Sequence, residues 1–305
     1  MSVKPKWVKR KSKTLTGYKK FLDDNNLLMY PISNHNCFKA LTKSIRIKPT
    51  YLIIGASRSG TTAIYDYLSK NRFGYRSPLK ELHFFDNYFH KGFLWYKGNF
   101  PTIFHKFYLE KILHKKIVCG EATARYLISP LVAKRISKCI PDIKLIVMVR
   151  NPIDRAFSQY RRRFEKDSES RTFSDVVETE IEYLSSLPQS FNNDNLDKYA
   201  ERFLKAPYLG RSLYEQQLLM WLKFFDKKQI LLLKSEDFYQ NPSNSLDKIY
   251  SFLGTKNYGN YQSLKIKQNA SGYVIPLEPN VKKKLIDFFS THNHILKKEW
   301  GITFS

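Results

Sequence analysis

Acidic residues are scarce in this chain: 27 Asp+Glu stand against 52 Lys+Arg, a net charge of +25 over 305 residues. A surplus of that size draws polyanions and speeds their encounter. Nucleic acid, an anionic membrane surface and an acidic polysaccharide are all admissible partners, and a basic surface that serves only solubility remains the plain alternative. Cysteine is scarce too. Cys37, Cys119 and Cys139 are odd in number and scattered, which argues against a disulfide framework and offers no CxxC metal spacing. Long apolar runs are missing: KLIVMV (144–149) and ILLL (230–233) fall far short of the roughly 18 residues that cross a bilayer. The opening stretch MSVKPKWVKRKSK is basic but lacks the apolar core of a signal peptide. A cytoplasmic location is the expectation, with peripheral contact at an anionic membrane left open.

What is present reads as one folded α/β domain. There is no repeat or low-complexity tract, and 42% of the residues are hydrophobic. Residues 1–49 read as a basic, partly mobile lead-in and 50–305 as a single domain. YLIIGA (51–56), KIVCGEA (116–122), KLIVMV and QILLL (229–233) read as buried strands. TTAIYDYLSKN has Ile64, Tyr67, Leu68 and Asn71 at the spacing of one helical face. Helices are expected near 130–138, over NPIDRAFSQYRRRF and over PNVKKKLIDFFSTHNHILKKEW, with an amphipathic segment at RSLYEQQLLMWLKFF and a loop at 185–197. Strands apolar on both faces, alternating with helices, indicate a parallel sheet covered on each side.

Three motifs carry chemistry. The first is GASRSGTT, residues 55–62, between a strand and a helix. Such a turn aims several backbone N–H groups, and the helix dipole, at one point. Thr61 and Thr62 add hydroxyls and Arg58 a fork for two anionic oxygens. The lysine of nucleotide hydrolases is missing after Gly60, and no aspartate closes an apolar strand as a magnesium partner. A tight turn without a ligand is the alternative. The second motif is KELHFFD (80–86). On an extended segment Glu81 and His83 point one way and Leu82 and Phe84 the other. A carboxylate beside an imidazole, among aromatics that exclude water, suits general-base work, although an ordinary strand with one polar face has the same spacing. The third is VMVRNPIDRAFSQYRRRF. Arg150 ends a buried strand, where ligands of open α/β sheets sit, and Ser158 follows about two helical turns on. Together they make a second anion site, apart from the first. The run Arg161–Arg163 reads as a solvated helix face, with use by an acidic acceptor left open. His292 and His294 point in different directions on a helix, so no metal site is read there.

Taken in order, GASRSGTT, KELHFFD and RNPIDRAFSQY resemble the sulfotransferases that use 3′-phosphoadenosine 5′-phosphosulfate (PAPS), closest to the heparan-sulfate-type and related bacterial carbohydrate enzymes. The resemblance runs from about residue 51 to 300. It implies a P-loop-like three-layer fold with a central parallel sheet. It implies that Arg58, Ser59, Gly60, Thr61 and Thr62 cradle the 5′-phosphosulfate, and that Arg150 and Ser158 hold the 3′-phosphate. Lys267 and Gly272, in KIKQNASGY, correspond to a late loop over the nucleotide. Glu81 would be the base and His83 its helper, with Arg58 steadying the leaving phosphate of adenosine 3′,5′-bisphosphate and no metal required. One departure stands out: the heparan-sulfate enzymes carry lysine where this chain has Ala122, in GEATARY, so that Arg125 or another cation must compensate or the acceptor must differ. A carbohydrate hydroxyl or amine is the expected acceptor. A magnesium-dependent kinase or NTPase with a degenerate loop, and a non-enzymatic polyanion-binding protein, are the rival readings.

Overall fold

Among the described residues, five short strands, all parallel, form a central sheet in the order β2-β3-β1-β4-β5. The computed structural model describes residues 41–71, 73–187, 196–256 and 277–304. In chain order β1 is Tyr51–Gly55, α1 Thr61–Lys70, β2 Gly74–Arg76, α2 Phe93–Lys97, α3 Ile103–Phe107 and β3 Val118–Ala122. Then come α4 Pro130–Cys139, β4 Lys144–Val149, α5 Pro152–Phe164, α6 Phe173–Ser185, α7 Leu196–Lys205 and α8 Tyr214–Trp221. β5 Ile230–Lys234, α9 Ser235–Gln240, α10 Pro242–Leu253 and α11 Pro279–Trp300 complete it.

The inner strands behave as their sequences dictate. β1 and β3 are buried at every residue, and β4 at every residue after Lys144. A strand covered on both faces buries both sets of alternating side chains, hence the unbroken apolar runs. Tyr51, Ile53, Ile146 and Met148 pack into one core with α1 and α10, while Leu52, Ile54, Leu145 and Val147 pack into another with α4 and α8. A third core, built by α5, α6, α7 and α11, lies beside the sheet. Ile64, Tyr67, Leu68 and Asn71 are all buried on α1 or at its end, as their spacing implies.

Three expectations need correction. β5 is only half-buried, because it is the edge strand and has a neighbour on one side. The stretch 211–225 is not an amphipathic surface helix: α8 buries Glu215, Gln216 and Gln217 along with its apolar residues. Glu215 meets His292 at 2.6 Å, and Gln216 accepts from Arg202 at 2.8 Å, so for these two internal partners replace water. Segment 81–83 is not a strand, since it has no regular structure and His83 sits at φ 49°.

The chain divides into two units, residues 1–42 and 43–305. Within the second, residues 46 and 47 are already fastened to the domain: the Arg46 side chain donates to the Phe100 carbonyl at 2.5 Å and the Ile47 N–H to Pro101. Lys267 and Gly272, and most of the expected loop at 185–197, lie outside the described residues.

Candidate active site

The strand order reverses at the centre of the sheet. β1 is followed by a chain that crosses to β2 and β3 on one side, while β4 and β5 lie on the other. Ligands of open α/β sheets bind at such a reversal, beyond the carboxyl ends of the strands. Here those ends carry the GASRSGTT loop after β1 and Arg150 after β4. A cleft of about 1290 Å³ opens over them. It is lined by Arg58, Gly60, Thr61 and Thr62 from the loop, by Glu81 and His83, and by Arg150 and Ser158. The three motifs therefore converge on one place. Ser59 is the exception among the loop residues, fully buried beneath it rather than facing the cleft.

The loop is tightly specified. Gly60 sits at φ 90° and caps α1, a conformation that side chains with a Cβ adopt only under strain. A Cβ there would also stand 2.9 Å from the Tyr239 hydroxyl and 3.1 Å from the Met148 sulfur. Arg58 too is left-handed, at φ 72°, and its guanidinium donates twice to Ser158 Oγ, at 3.2 and 3.0 Å. The two anion sites expected to lie apart are thus joined by a direct contact. Burial, then the neighbouring Arg162 and Arg150, push the Arg58 guanidinium below its usual range. A half-buried group crowded by like charges is a strong attractor for an anion. Arg161 and Arg162, from the run read as a solvated face, also line the cleft, and Lys70, Arg125 and Arg211 add to the cationic wall. The donor set fits a nucleotide carrying two separated phosphate groups, and the volume leaves room for an acceptor beside it.

Glu81 and His83 line the same cleft. Glu81 Oε2 lies 3.4 Å from His83 Nε2, and the other ring nitrogen, Nδ1, lies 2.9 Å from Asp86. Asp86, then Glu81, raise the imidazole to about 9. At neutral pH His83 is a cation clamped between two carboxylates. It holds Glu81 below the ordinary carboxylate range, in the opposite direction from the raised proton affinity that a water-excluding aromatic pocket would give. The aromatics explain the difference. Phe84, Phe85 and Tyr96 are fully buried in the core, and neither Tyr88 nor Trp95, both partly exposed, lines the cleft.

Two functional residues escaped sequence reasoning. Lys80 donates to Thr62 Oγ1 at 2.5 Å and lies 3.6 Å from Glu81, bridging the anion loop and the carboxylate. Its backbone carbonyl accepts the N–H of Ala122, which ties this segment to the end of β3. The signal was adjacency to Glu81 within KELHFFD. Glu121, fully buried on β3, accepts from the Leu82 N–H (3.1 Å), Thr123 (2.7 Å), Tyr96 (2.9 Å) and Tyr126 (3.2 Å). Burial pushes its carboxyl up and the four donors oppose that. By holding the Leu82 amide it fixes the backbone between Glu81 and His83. No clusters of metal-ligating side chains occur among the described residues, His292 and His294 included.

The profile of the family described as Sulfotransferase domain matches residues 48–271. The membrane-associated sulfotransferase kil1 of Dictyostelium discoideum is 25% identical over 81% of this chain and 64% of its own length. Bifunctional heparan sulfate N-deacetylase/N-sulfotransferase 2 of Bos taurus is 28% identical over 82% of this chain and 29% of its own. Heparan sulfate glucosamine 3-O-sulfotransferase 3B1 of Mus musculus is 29% identical over 68% and 46%. The chain thus spans less than two thirds of the length of each of these relatives. A sulfotransferase structure from Alicyclobacillus acidocaldarius superposes with a TM-score of 0.60 over 85% of this chain and 98% of that one, at 24% identity, which supports the fold.

Proposed function

The chain belongs to the sulfotransferase family, and from that premise we propose that it moves a sulfuryl group from PAPS to a hydroxyl or amine of a carbohydrate acceptor, with Glu81 as the base. The observation that carries this reading is the single cleft in which a glycine-turned anion loop, a second arginine and an ionised carboxylate face one another.

In this reading Arg58, the amides from Ser59 to Thr62 and the Thr61 and Thr62 hydroxyls hold the 5′-phosphosulfate. Arg150 and Ser158 hold the 3′-phosphate. The contact between Arg58 and Ser158 ties the two grips together, so that closing one organises the other. The co-substrate supplies the sulfuryl group and departs as adenosine 3′,5′-bisphosphate. Glu81 takes the proton as the acceptor's oxygen or nitrogen bonds to sulfur and the bond from sulfur to the bridging oxygen breaks, its electrons remaining on that oxygen. Because His83 and Lys80 hold Glu81 low, proton transfer completes late, once bonding to sulfur has made the acceptor acidic. Arg58 and Lys80 stand where negative charge grows on the leaving side, already oriented. Arg125 and Arg211 supply cationic contacts for the acceptor.

The deciding experiment pairs binding with turnover. Adenosine 3′,5′-bisphosphate at about 100 times its dissociation constant should stabilise the protein by about 2.7 kcal/mol, a rise of several degrees in Tm, whereas ATP with magnesium should not. Glu81→Gln should keep that rise and lose sulfate transfer from labelled PAPS to a glycan panel. A rise with ATP and magnesium alone would move the assignment to a kinase or NTPase; undiminished turnover of Glu81→Gln would remove Glu81 as the base.

A further inference from the structure

Between residues 103 and 113 the chain turns its apolar side chains outward. α3 runs without a break into a wider helical turn, Tyr108–Ile112. Ile103, Phe104, Phe107, Tyr108 and Ile112 are 48%, 66%, 58%, 51% and 57% exposed. Leu109 is the buried one of this stretch. At about 100° per residue, the first four share one side of the helix and Leu109 lies opposite. This is amphipathicity in reverse, with the larger apolar face in solvent. Soluble proteins seldom leave such a patch contiguous unless something covers it.

The rim of the ridge identifies the cover. His105, Lys106, Lys111 and His114 are interspersed with the ridge residues in sequence and exposed, and Glu110, the one acidic residue from 103 to 116, lies 3.8 Å from Lys106. Side chains of this kind seat at the boundary between headgroups and acyl chains, with lysines reaching to anionic headgroups. A second copy of this chain is a poor occupant, since its own cationic rim would face this one across the contact. The root of the ridge is held firmly: the Thr102 side chain accepts the His105 N–H at 3.3 Å, and Thr102 pairs with Arg46. The ridge leads into the N-terminal end of β3, the end of the sheet away from the cleft, and none of its residues lines the cleft. We propose that the ridge formed by Ile103, Phe104, Phe107, Tyr108 and Ile112 is a peripheral docking surface for a lipid bilayer rich in anionic lipid, leaving the cleft open to an acceptor on the far side.

The test uses the full chain and co-sedimentation with vesicles of phosphatidylcholine alone or with about 30% phosphatidylserine. The unaltered protein is expected to bind the phosphatidylserine vesicles. The double variant Phe104→Ser/Phe107→Ser is expected to lose about tenfold or more in partitioning, since each ring no longer leaves water, while its Tm rise with adenosine 3′,5′-bisphosphate stays unchanged. Equal binding by both proteins would overturn the proposal and assign membrane contact to charge elsewhere. Absence of vesicle binding would overturn it outright. A change in solution mass between the two proteins at equal concentration, without a change in vesicle binding, would overturn it in favour of contact between copies.

Discussion

His83 shows how one side chain sets the working range of another. Its imidazole is raised to about 9, chiefly by Asp86 and then by Glu81. A group raised above its ordinary 6.5 contributes stability that is full below that value and is lost as pH rises through about 9. Activity that depends on the protonated clamp should therefore fall through the same upper window. In His83→Gln the alkaline limb of kcat/KM near pH 9 should vanish. Glu81, released from its main hydrogen bond, should move up toward the ordinary carboxylate range and carry the acid limb with it. A pH profile with both limbs unmoved would show that the two groups do not act together. Lys80 is a second test at this scale. If its ammonium steadies the growing charge beside Thr62, Lys80→Met should lower kcat by about 100-fold while the affinity for adenosine 3′,5′-bisphosphate falls much less. A loss confined to KM would make it a binding group only.

Elements place these residues, and two of them do so through positions that carry no charge to the cleft. In Gly60→Ala a Cβ must accept a left-handed backbone and crowd both Tyr239 and Met148. The strain costs about 1–2 kcal/mol, and the larger effect should be on the loop, with the Tm rise from adenosine 3′,5′-bisphosphate lost. β3 contributes through Glu121. Glu121→Ala leaves the Leu82 amide and the Tyr96, Tyr126 and Thr123 hydroxyls without their acceptor, which should cost about 3 kcal/mol or more in urea unfolding. Glu121→Gln keeps an oxygen and should cost less. How legible each element is in the sequence follows from its surroundings. β1, β3 and β4 are read directly because burial on both faces demands unbroken apolar runs. β2 is three residues at the sheet edge, two half-buried and one exposed, and leaves no pattern. α8 misleads, since Glu215, Gln216 and Gln217 look like a wet face, and nothing local reveals that His292, 77 residues away, and Arg202 receive two of them. The site behaves the same way. Its loop, Arg58 and Arg150 are readable from spacing, but the meeting of Lys80 with Thr62, and of Arg58 with Ser158 100 residues on, exists only once the sheet has formed.

At the scale of the molecule, two cores clamp the sheet and a third, under α5, α6, α7 and α11, holds the far wall of the cleft. Arg155 fastens that wall, wholly buried, donating to Ser212 Oγ at 2.6 Å and to the Tyr208 carbonyl. Cationic side chains then converge from three directions: Arg58 from the loop after β1, Arg150, Arg161 and Arg162 from β4 and α5, and Arg211 from the turn before α8. Burial and the neighbouring Arg155, Arg125 and Arg163 bring Arg211 down to about 10, so the wall is positive well beyond any single contact. With a net charge of +25 behind it, this concave field should capture an anionic nucleotide before any contact is made. Raising ionic strength from about 0.05 to 0.5 M shortens the screening length from over 10 Å to about 4 Å. kcat/KM for the nucleotide should then fall by about tenfold or more, while kcat, which reports chemistry or release after binding, should hardly move. Arg162→Ser, which leaves the grips at Gly60 and Ser158 in place, should flatten that salt dependence and leave kcat intact. A salt-insensitive kcat/KM would mean that the nucleotide is held by short-range contacts alone and that the basic surplus serves another surface of the protein.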